Sequence, residues 1–412
     1  ETRPEAATLG ADQVLGQPRS VLYQTTDLEG EIARVWNGRA ISVRSRAVRQ
    51  SDGTYRIAGQ KIFITYGDHD LAENIIHLVL ARTPDAPEGV KGISLFVVPK
   101  RLVNDDGSLG KRNDVHCASI EHKLGIKASP TAVLLFGDGK GEVGPGAIGH
   151  LVGEENRGLE YMFVMMNAAR FGVGMQGVAI ADRAYQKAVA YARERLQSRA
   201  VEGSPGPVPI IEHPDVRRML MLMRARTEAA RAVAYVAAGW ADVAHHHPDA
   251  GRRRQAKAVY EYLVPIVKGW STEMSIDVAS LGVQVHGGMG YIEETGAAQF
   301  YRDARILTIY EGTTAIQAND FVGRKTARDG GAVARSLIGQ IRQTAAELSA
   351  STDADLAAIG RRLAVAADAH EEVVDYVVSR IKDDIRGVFA GSVPYLELAG
   401  IDNIAGIGNA LD

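Results

Sequence analysis

The chain has 412 residues, 46% of them hydrophobic, with 47 basic and 50 acidic side chains and a single cysteine, Cys117. This length allows two or three domains with ordinary buried cores; the near-neutral charge gives no drive toward nucleic acid or a membrane surface, and one cysteine excludes an intramolecular disulfide. No run of eighteen apolar residues predicts a membrane span, and the opening Glu1-Thr2-Arg3-Pro4-Glu5 lacks the regions of a signal peptide, so the expected location is cytoplasmic.

Residues 1–45 scatter Gly10, Gly16, Pro18 and Gly30 among weak periodicity and read as an irregular segment. From 46 to 155 the pattern is β. Val43 to Val48 alternates, Ser51-Asp52-Gly53-Thr54 makes a turn and Tyr55 to Thr65 alternates again, which predicts a hairpin. Apolar runs at 75–81, 93–98 and 132–136, broken by Pro84, Pro87 and Pro99, extend this into a barrel or sandwich. Beyond a glycine-rich link at 137–158 the apolar spacing turns helical, over 159–198, 214–247, 253–283 and 311–327, with loops at 201–213, 248–251 and 285–305. An antiparallel bundle over 156–330 follows. Residues 333–349, 354–382 and 393–399 read as a helical extension, 331–412, behind Arg328-Asp329-Gly330-Gly331. The expected fold class is α+β multidomain, with a β-barrel or sandwich, a helical bundle and a short C-terminal helical extension.

The segment Ile309-Tyr310-Glu311-Gly312-Thr313-Thr314-Ala315-Ile316-Gln317 sets a lone carboxylate in an apolar stretch. Removing a proton from carbon needs a base within hydrogen-bond reach and sheltered from water, and Gly312 would allow close backbone approach by a ligand. Thr313 and Thr314 offer hydroxyls at the start of the next helix; a helix-capping role for Glu311 stays open on the residues alone. In Gln284-Val285-His286-Gly287-Gly288-Met289-Gly290-Tyr291, three glycines let backbone N–H groups face an anion, or simply form an interhelical turn. Two further patterns carry no site. Gly172-Val173-Gly174-Met175-Gln176-Gly177 matches G-x-G-x-x-G but follows a helical stretch instead of a strand, and reads as close helix packing. His245-His246-His247 and Arg252-Arg253-Arg254 read as solvated helix ends, and no metal site is expected.

The two first segments, with Tyr301-Arg302-Asp303-Ala304-Arg305 between them, resemble the carboxy-terminal signature of the flavin-dependent acyl-CoA dehydrogenases. Glu121 to Thr131 resembles a large bacterial branch of that family. The resemblance implies that Glu311 is the base, with Tyr310 and Gly312 at the substrate, Thr313 at the cofactor, and FAD carrying the redox step. It implies that Phe63-Ile64-Thr65 lies against the isoalloxazine ring. Gln284, Gly287 and Gly288 would contact the FAD of a neighbouring subunit, in a homodimer or homotetramer. Arg195, in Tyr191-Ala192-Arg193-Glu194-Arg195, would approach the flavin phosphates, although the usual following Phe-Gly is absent. Asn167 and Arg170 match positions near the acyl-CoA site, with an interhelical hydrogen-bonded pair as the other reading. The implied partners are an acyl-CoA substrate and an electron-transfer flavoprotein, and the implied product is a trans-2-enoyl-CoA.

Two family parts are not found ahead of Arg46: the all-helical amino-terminal domain and the Thr-Glu-Pro-x-x-Gly-Ser-Asp type of flavin loop. Gly38 to Ser45, back-translated with G/C-rich codons and read two nucleotides later, can give Pro-Gly-Asp-Leu-Gly-Ala-Leu, similar to the end of that loop. A shifted reading frame before about Arg46 is therefore an expectation, as is truncation after Ile401. A non-catalytic scaffold derived from the family is the alternative function.

Overall fold

The computed structural model describes residues 20–25 and 45–405, which fall in two compact units, Glu1–Met166 and Asn167–Asp412. The frame-shift expectation concerns residues that lie, but for 20–25 and Ser45, outside the described ones, as does the tail beyond 405.

The first unit is an antiparallel sheet domain. Its strands are β1 (Ser20–Thr25), β2 (Arg46–Arg49), β3 (Tyr55–Thr65), β4 (Asn74–Ala81), β5 (Ser94–Pro99), β6 (Arg101–Val103), β7 (Leu109–Arg112), β8 (Val115–Ile120), β9 (Thr131–Phe136) and β10 (Ala147–Leu151). The sheet order is β1-β4-β5-β10-β3-β9-β8, with β2 on β3 and β6 paired to β7. Only the β1–β4 pair is parallel among these, and β1 lies inside the segment read as irregular. β3 is the spine. Its first half takes β2 and β10 as partners and its second half takes β9. The change falls at Gly59, where φ is +149° and a Cβ would stand 2.7 Å from the Ser45 Cα, so only glycine fits. Ala47, Ile57, Val79, Phe96 and Leu134 are wholly buried on the inner face, and burying each large side chain stabilises by about 1.5–3 kcal/mol.

The expected hairpin of β2 and β3 is present, with Arg46 opposite Ala58 and Arg49 opposite Tyr55. The link 137–158 is not only a link, because it contains β10. That strand is short and carries Gly149, so its sequence signal is weak; tertiary contacts define it. Asn113 Nδ2 donates to the Pro99 and Ile148 carbonyls at 2.8 Å each, and its Oδ1 accepts from the Ile148 N–H at 2.8 Å. Beside it the buried Asp114 carboxylate accepts from the N–H groups of Gly139, Lys140 and Gly146 at 2.9 Å and of Gly141 at 3.2 Å. One side chain thus satisfies four donors of a glycine-rich loop.

The second unit is helical. A long helix α1 (Gly158–Glu194) enters from the first unit and is followed by α2 (Pro214–His246) and α3 (Ala250–His286). Then come α4 (Ala297–Ala304), α5 (Thr314–Asp320), a π-helical turn at Phe321–Ala327, α6 (Ala332–Ser349), α7 (Ala354–Arg380), α8 (Ile385–Ala390) and α9 (Ser392–Ala405). Caps mark several starts: Pro214 sits in the first turn of α2, and the Asp249 and Asp353 carboxylates accept N–H bonds at α3 and α7. The glycine pattern on α1 is a packing feature as read. A Cβ at Gly174 would lie 2.6 Å from the Val267 carbonyl oxygen, and one at Gly177 would lie 2.8 Å from that of Ser271, so α1 and α3 touch backbone to backbone.

The extension shares a core with the bundle. Tyr262 of α3, Phe321, and Tyr395 of α9 pack ring against ring with centroids 4.8 and 4.7 Å apart, among Ile338, Ala367 and Val374. The region read as a loop over 285–305 instead holds the end of α3, a 3-10 turn at Gly287–Tyr291 and α4. Its glycines masked a pattern that the helix C-terminus at Gly287 (φ +61°) makes regular. Among the described residues no helix is long and apolar enough to cross a membrane, and no group of three or more His, Cys, Asp or Glu side chains is placed to hold a metal.

Asp114→Ala strands four loop N–H groups, and a loss of about 1–3 kcal/mol is expected in urea unfolding; an unchanged midpoint would contradict the anchoring role. Burial lowers the pKa of His77 from 6.5 to about 3. Its Nδ1 has no hydrogen-bond partner, and its ring meets Phe136 edge-on at 5.9 Å. The unfolded chain binds the proton first, so stability rises with pH across this window. It should fall by up to about 1.4 kcal/mol per unit as pH drops from about 6.5 toward 3. His77→Leu should flatten that slope, measured as urea midpoint against pH.

Candidate active site

The loop that carries Glu311 is built by local backbone geometry. α4 runs into a single 3-10 turn at Arg305–Thr308, closed by N–H bonds from Ile309 and Tyr310 to the Ile306 carbonyl at 2.9 and 3.1 Å. Glu311 and Gly312 then take φ values of +54° and +91°. For glutamate this left-handed conformation is uncommon and costs on the order of 1–3 kcal/mol. Helix α5 therefore begins at Thr314, later than the expected 311, with Thr313 as its cap through a hydroxyl that accepts from the Ile316 N–H at 3.4 Å.

Three side chains tie this turn to the bundle. Lys268 of α3 donates from Nζ to the Gly312 carbonyl at 2.5 Å, and Gln317 of α5 donates from Nε2 to the same oxygen at 3.2 Å and to the Glu311 carbonyl at 3.3 Å. Both residues are wholly buried. The Tyr310 hydroxyl donates to Gln176 Oε1 on α1. Burial, then the neighbouring Glu311 charge, pushes the Tyr310 phenol up to about 12, so it stays a proton donor at neutral pH.

The Glu311 carboxyl is half-buried, and its pKa is raised above 4.5. Loss of hydration raises it, while the charges of Lys268 and Arg170 pull it back. Arg170, 6% exposed, pairs with Asp320 Oδ2 at 3.0 Å, and Asp320 Oδ1 faces Arg324 Nε at 3.3 Å. A carboxyl of raised basicity, sheltered yet within the field of two cations that favour ionisation, is suited to taking a proton from carbon.

The expected site residues thus separate into groups. Glu311, Tyr310, Gly312, Thr313 and Arg170 belong to one constellation, and the half-buried Asn167 stands one turn before Arg170 on α1. Arg170 does bridge helices, but to Asp320. Gln284, Gly287 and Gly288 are exposed at the far end of α3. Sixteen residues of rise put Gln284 about 24 Å along the axis from Lys268. Tyr191 stacks on His286 with ring centroids 4.4 Å apart, which brings the end of α1, and the exposed Arg195 just beyond it, to that same end of the bundle. Phe63, Ile64 and Thr65 belong to the first unit, where a bulge between Lys61 and Ile64 sets Phe63 at φ +60°. The bulge leaves Phe63 61% exposed and Thr65 exposed, whereas the Ile64 side chain is 2% exposed in the core. An outward aromatic face and a hydroxyl two residues on suit a flat heterocycle with a polar edge; Ile64 has only backbone to offer it.

Sequence reasoning missed Lys268, Gln317, Gln176 and Asp320. For Lys268 a signal existed: it is the lone charge in the run from Leu263 to Trp270. Gln317 and Asp320 look like ordinary polar residues of an amphipathic helix, and only packing distinguishes them.

Residues 156–325 match a family model for the acyl-CoA dehydrogenase C-terminal domain, and 337–405 one described as acetyl-CoA dehydrogenase C-terminal like. The chain is 58% identical over 359 residues to a 3-methylmercaptopropionyl-CoA dehydrogenase of Ruegeria pomeroyi, covering 87% of this chain and 59% of the relative. It is 40% identical over 312 residues to a broad-specificity linear acyl-CoA dehydrogenase of Mycobacterium tuberculosis, covering 73% of this chain and 50% of that one. Among solved structures, Caenorhabditis elegans ACDH-11 in complex with C11-CoA shares the fold, with a TM-score of 0.68 at 22% identity over 89% of this chain and 58% of that one. The chain spans between half and three fifths of the length of these relatives.

The buried ion pair gives a direct test of how the constellation is held. Arg170→Met leaves Asp320 buried with only the half-solvated Arg324 beside it, and should lower stability by about 3 kcal/mol in urea unfolding. A midpoint equal to that of the unaltered chain would show that the pair contributes nothing.

Proposed function

The chain belongs to the acyl-CoA dehydrogenase family, and from that premise we propose that it carries out the α,β-dehydrogenation of an acyl-CoA thioester with Glu311 as the base. The observation that carries this reading is the sheltered carboxyl of Glu311, raised by burial and fixed on a left-handed turn. In the reaction the Glu311 carboxylate takes a proton from the α-carbon. The electron pair left behind forms the C=C bond as a hydride departs from the β-carbon, giving a trans-2-enoyl-CoA. FAD, when bound, supplies the acceptor for that hydride, and an electron-transfer flavoprotein is the proposed next acceptor.

Phe63 and Thr65 would meet the flat ring, Phe63 by its exposed face and Thr65 by its hydroxyl. Arg195, Gln284, Gly287 and Gly288 lie at the other end of the bundle from the Glu311 turn. We read them as the part of the chain that meets the FAD of a second copy, so that the complete site needs a homo-oligomer. Arg195 offers planar donors to phosphate oxygens, and the turn at Gly287 offers backbone N–H groups. The identity to the Ruegeria pomeroyi relative supports 3-methylmercaptopropionyl-CoA as the first substrate to try. Tyr310, Gly312 and Asn167 are the residues proposed to lie against the acyl chain and thioester.

In anaerobic titration of the FAD-loaded chain, 3-methylmercaptopropionyl-CoA or butyryl-CoA should bleach the flavin absorbance. Glu311→Gln should keep the bound-flavin spectrum and slow bleaching by about 10²- to 10⁴-fold. Because the base must be ionised and its pKa lies above 4.5, kcat/KM should fall on the acid side at a higher pH than for an exposed glutamate. Bleaching at the unaltered rate in Glu311→Gln would remove Glu311 from this role, and absence of bleaching with every acyl-CoA tried would remove the dehydrogenase reading.

A further inference from the structure

We propose that Lys268 and Gln317 are positioning residues for Glu311, a pair of donors that close on the Gly312 carbonyl and hold the glutamate in its left-handed conformation; this rests on reading Glu311 as the base. The two donors come from different elements, α3 and α5. A carbonyl oxygen has two lone pairs, and here both donors approach it, at 2.5 Å from Lys268 Nζ and 3.2 Å from Gln317 Nε2. Gln317 also reaches the Glu311 carbonyl at 3.3 Å. Returning φ at Glu311 and Gly312 to ordinary values would swing the 311–312 and 312–313 peptides, whose carbonyls accept these bonds, in a place where both donors are wholly buried. No water could replace them without reopening the helix packing.

Two further details fit a positioning role. A Cβ at Gly312 would stand 2.5 Å from Gln317 Nε2, so the glycine is what lets the amide reach the carbonyl. The other end of that amide, Gln317 Oε1, is buried with no hydrogen-bond partner. A side chain chosen for packing alone would not leave that oxygen unsatisfied.

The two residues differ in charge, and this separates their effects. Around Glu311 the charged and titratable groups are Lys268 and Glu273 from α3, Arg170 from α1, the adjoining Tyr310, and Asp320 and Arg324 beyond Gln317. Glu273 accepts from the Thr314 hydroxyl at 2.5 Å, and Asp320 is bound to Arg170 and Arg324. Of the cations, Lys268 and Arg170 act on the carboxyl in the direction of ionisation. Lys268 therefore contributes both geometry and charge, and Gln317 contributes geometry alone.

The test uses Lys268→Met and Gln317→Met in the full chain. The titration of the Glu311 carboxyl is followed by infrared difference spectra against Glu311→Gln. Exchange of the α-protons of 3-methylmercaptopropionyl-CoA with D2O is followed by NMR in the FAD-loaded protein. Both variants should slow exchange by roughly 10- to 100-fold, the range expected when a reacting group is displaced by about 1 Å. Lys268→Met should also move the carboxyl titration to higher pH, and Gln317→Met should leave it in place. Exchange at the unaltered rate in both variants, or an unmoved titration in a folded Lys268→Met, overturns the proposal. If Lys268→Met does not fold, Gln317→Met decides: slowed exchange with an unmoved titration supports the clamp, and the unaltered rate sinks it. Should Glu311→Gln itself exchange normally, the base reading falls, while the infrared titration still judges the effect of Lys268 on the carboxyl.

Discussion

The ammonium of Lys268 lies wholly out of water with Nζ 2.5 Å from the Gly312 carbonyl, and the shape of the candidate active site depends on that contact. A buried ammonium is costly unless hydrogen bonds and a nearby negative charge offset the lost hydration. The turn at Glu311 and Gly312 supplies both, a carbonyl as acceptor and a carboxyl within the lysine's field. In return the turn is kept in a backbone conformation that glutamate rarely holds by itself. Burial raises the basicity of Glu311, and the cations of Lys268 and Arg170 oppose that rise. Strain, burial and charge are here a single arrangement.

A related device works in the first unit. Asp114 is as buried as Lys268, and it too is stabilised by irregular backbone, through four N–H groups of the 139–146 loop. Asn113 extends this to β10. In both units a buried polar side chain holds backbone that no regular ladder would satisfy. Register shifts interrupt the β3–β9, β8–β9 and β6–β7 pairs, and the one in β3 turns Phe63 outward. The bulge lies between Lys61 and Ile64, opposite β9 alone, so the pairing of β3 with β2 and β10 through residues 55–58 is undisturbed.

Helix α3 sets the scale of the second unit. Near its middle Lys268 meets the Glu311 turn, and at its end His286 stacks on Tyr191 beside the Gly287 turn. A rigid helix keeps those two places about 24 Å apart. One copy of the chain therefore presents two separate surfaces of functional interest, and the proposed oligomer is the arrangement that would use both. The extension α6 to α9 buries the outer side of the same helix through Tyr262, Phe321 and Tyr395, so α3 is packed along its length by elements from both parts of the unit.

Much of this was legible in the residues. Alternation over 55–65 specified β3, and apolar spacing specified the long helices to within a few residues, because period two and period 3.6 are imposed by the backbone itself. The Tyr-Glu-Gly-Thr segment singled out Glu311 as the candidate base, since few residue types can abstract a proton from carbon, and the family resemblance suggested FAD and an acyl-CoA substrate. β10, α4 and the true start of α5 were not legible: β10 is fixed by Asn113 from a distant position, and the other two depend on backbone conformations, the left-handed turn at 311–312 and the helix end at Gly287, that the residue pattern does not announce. The roles of Gln317 and Asp320 were also hidden, and Lys268 was marked only as a lone charge in an apolar run. A lysine in an apolar run reads the same whether it reaches solvent or a buried carbonyl. Local pattern determines which elements form; which polar groups lose their water, and therefore which must find one another, is decided only when those elements pack.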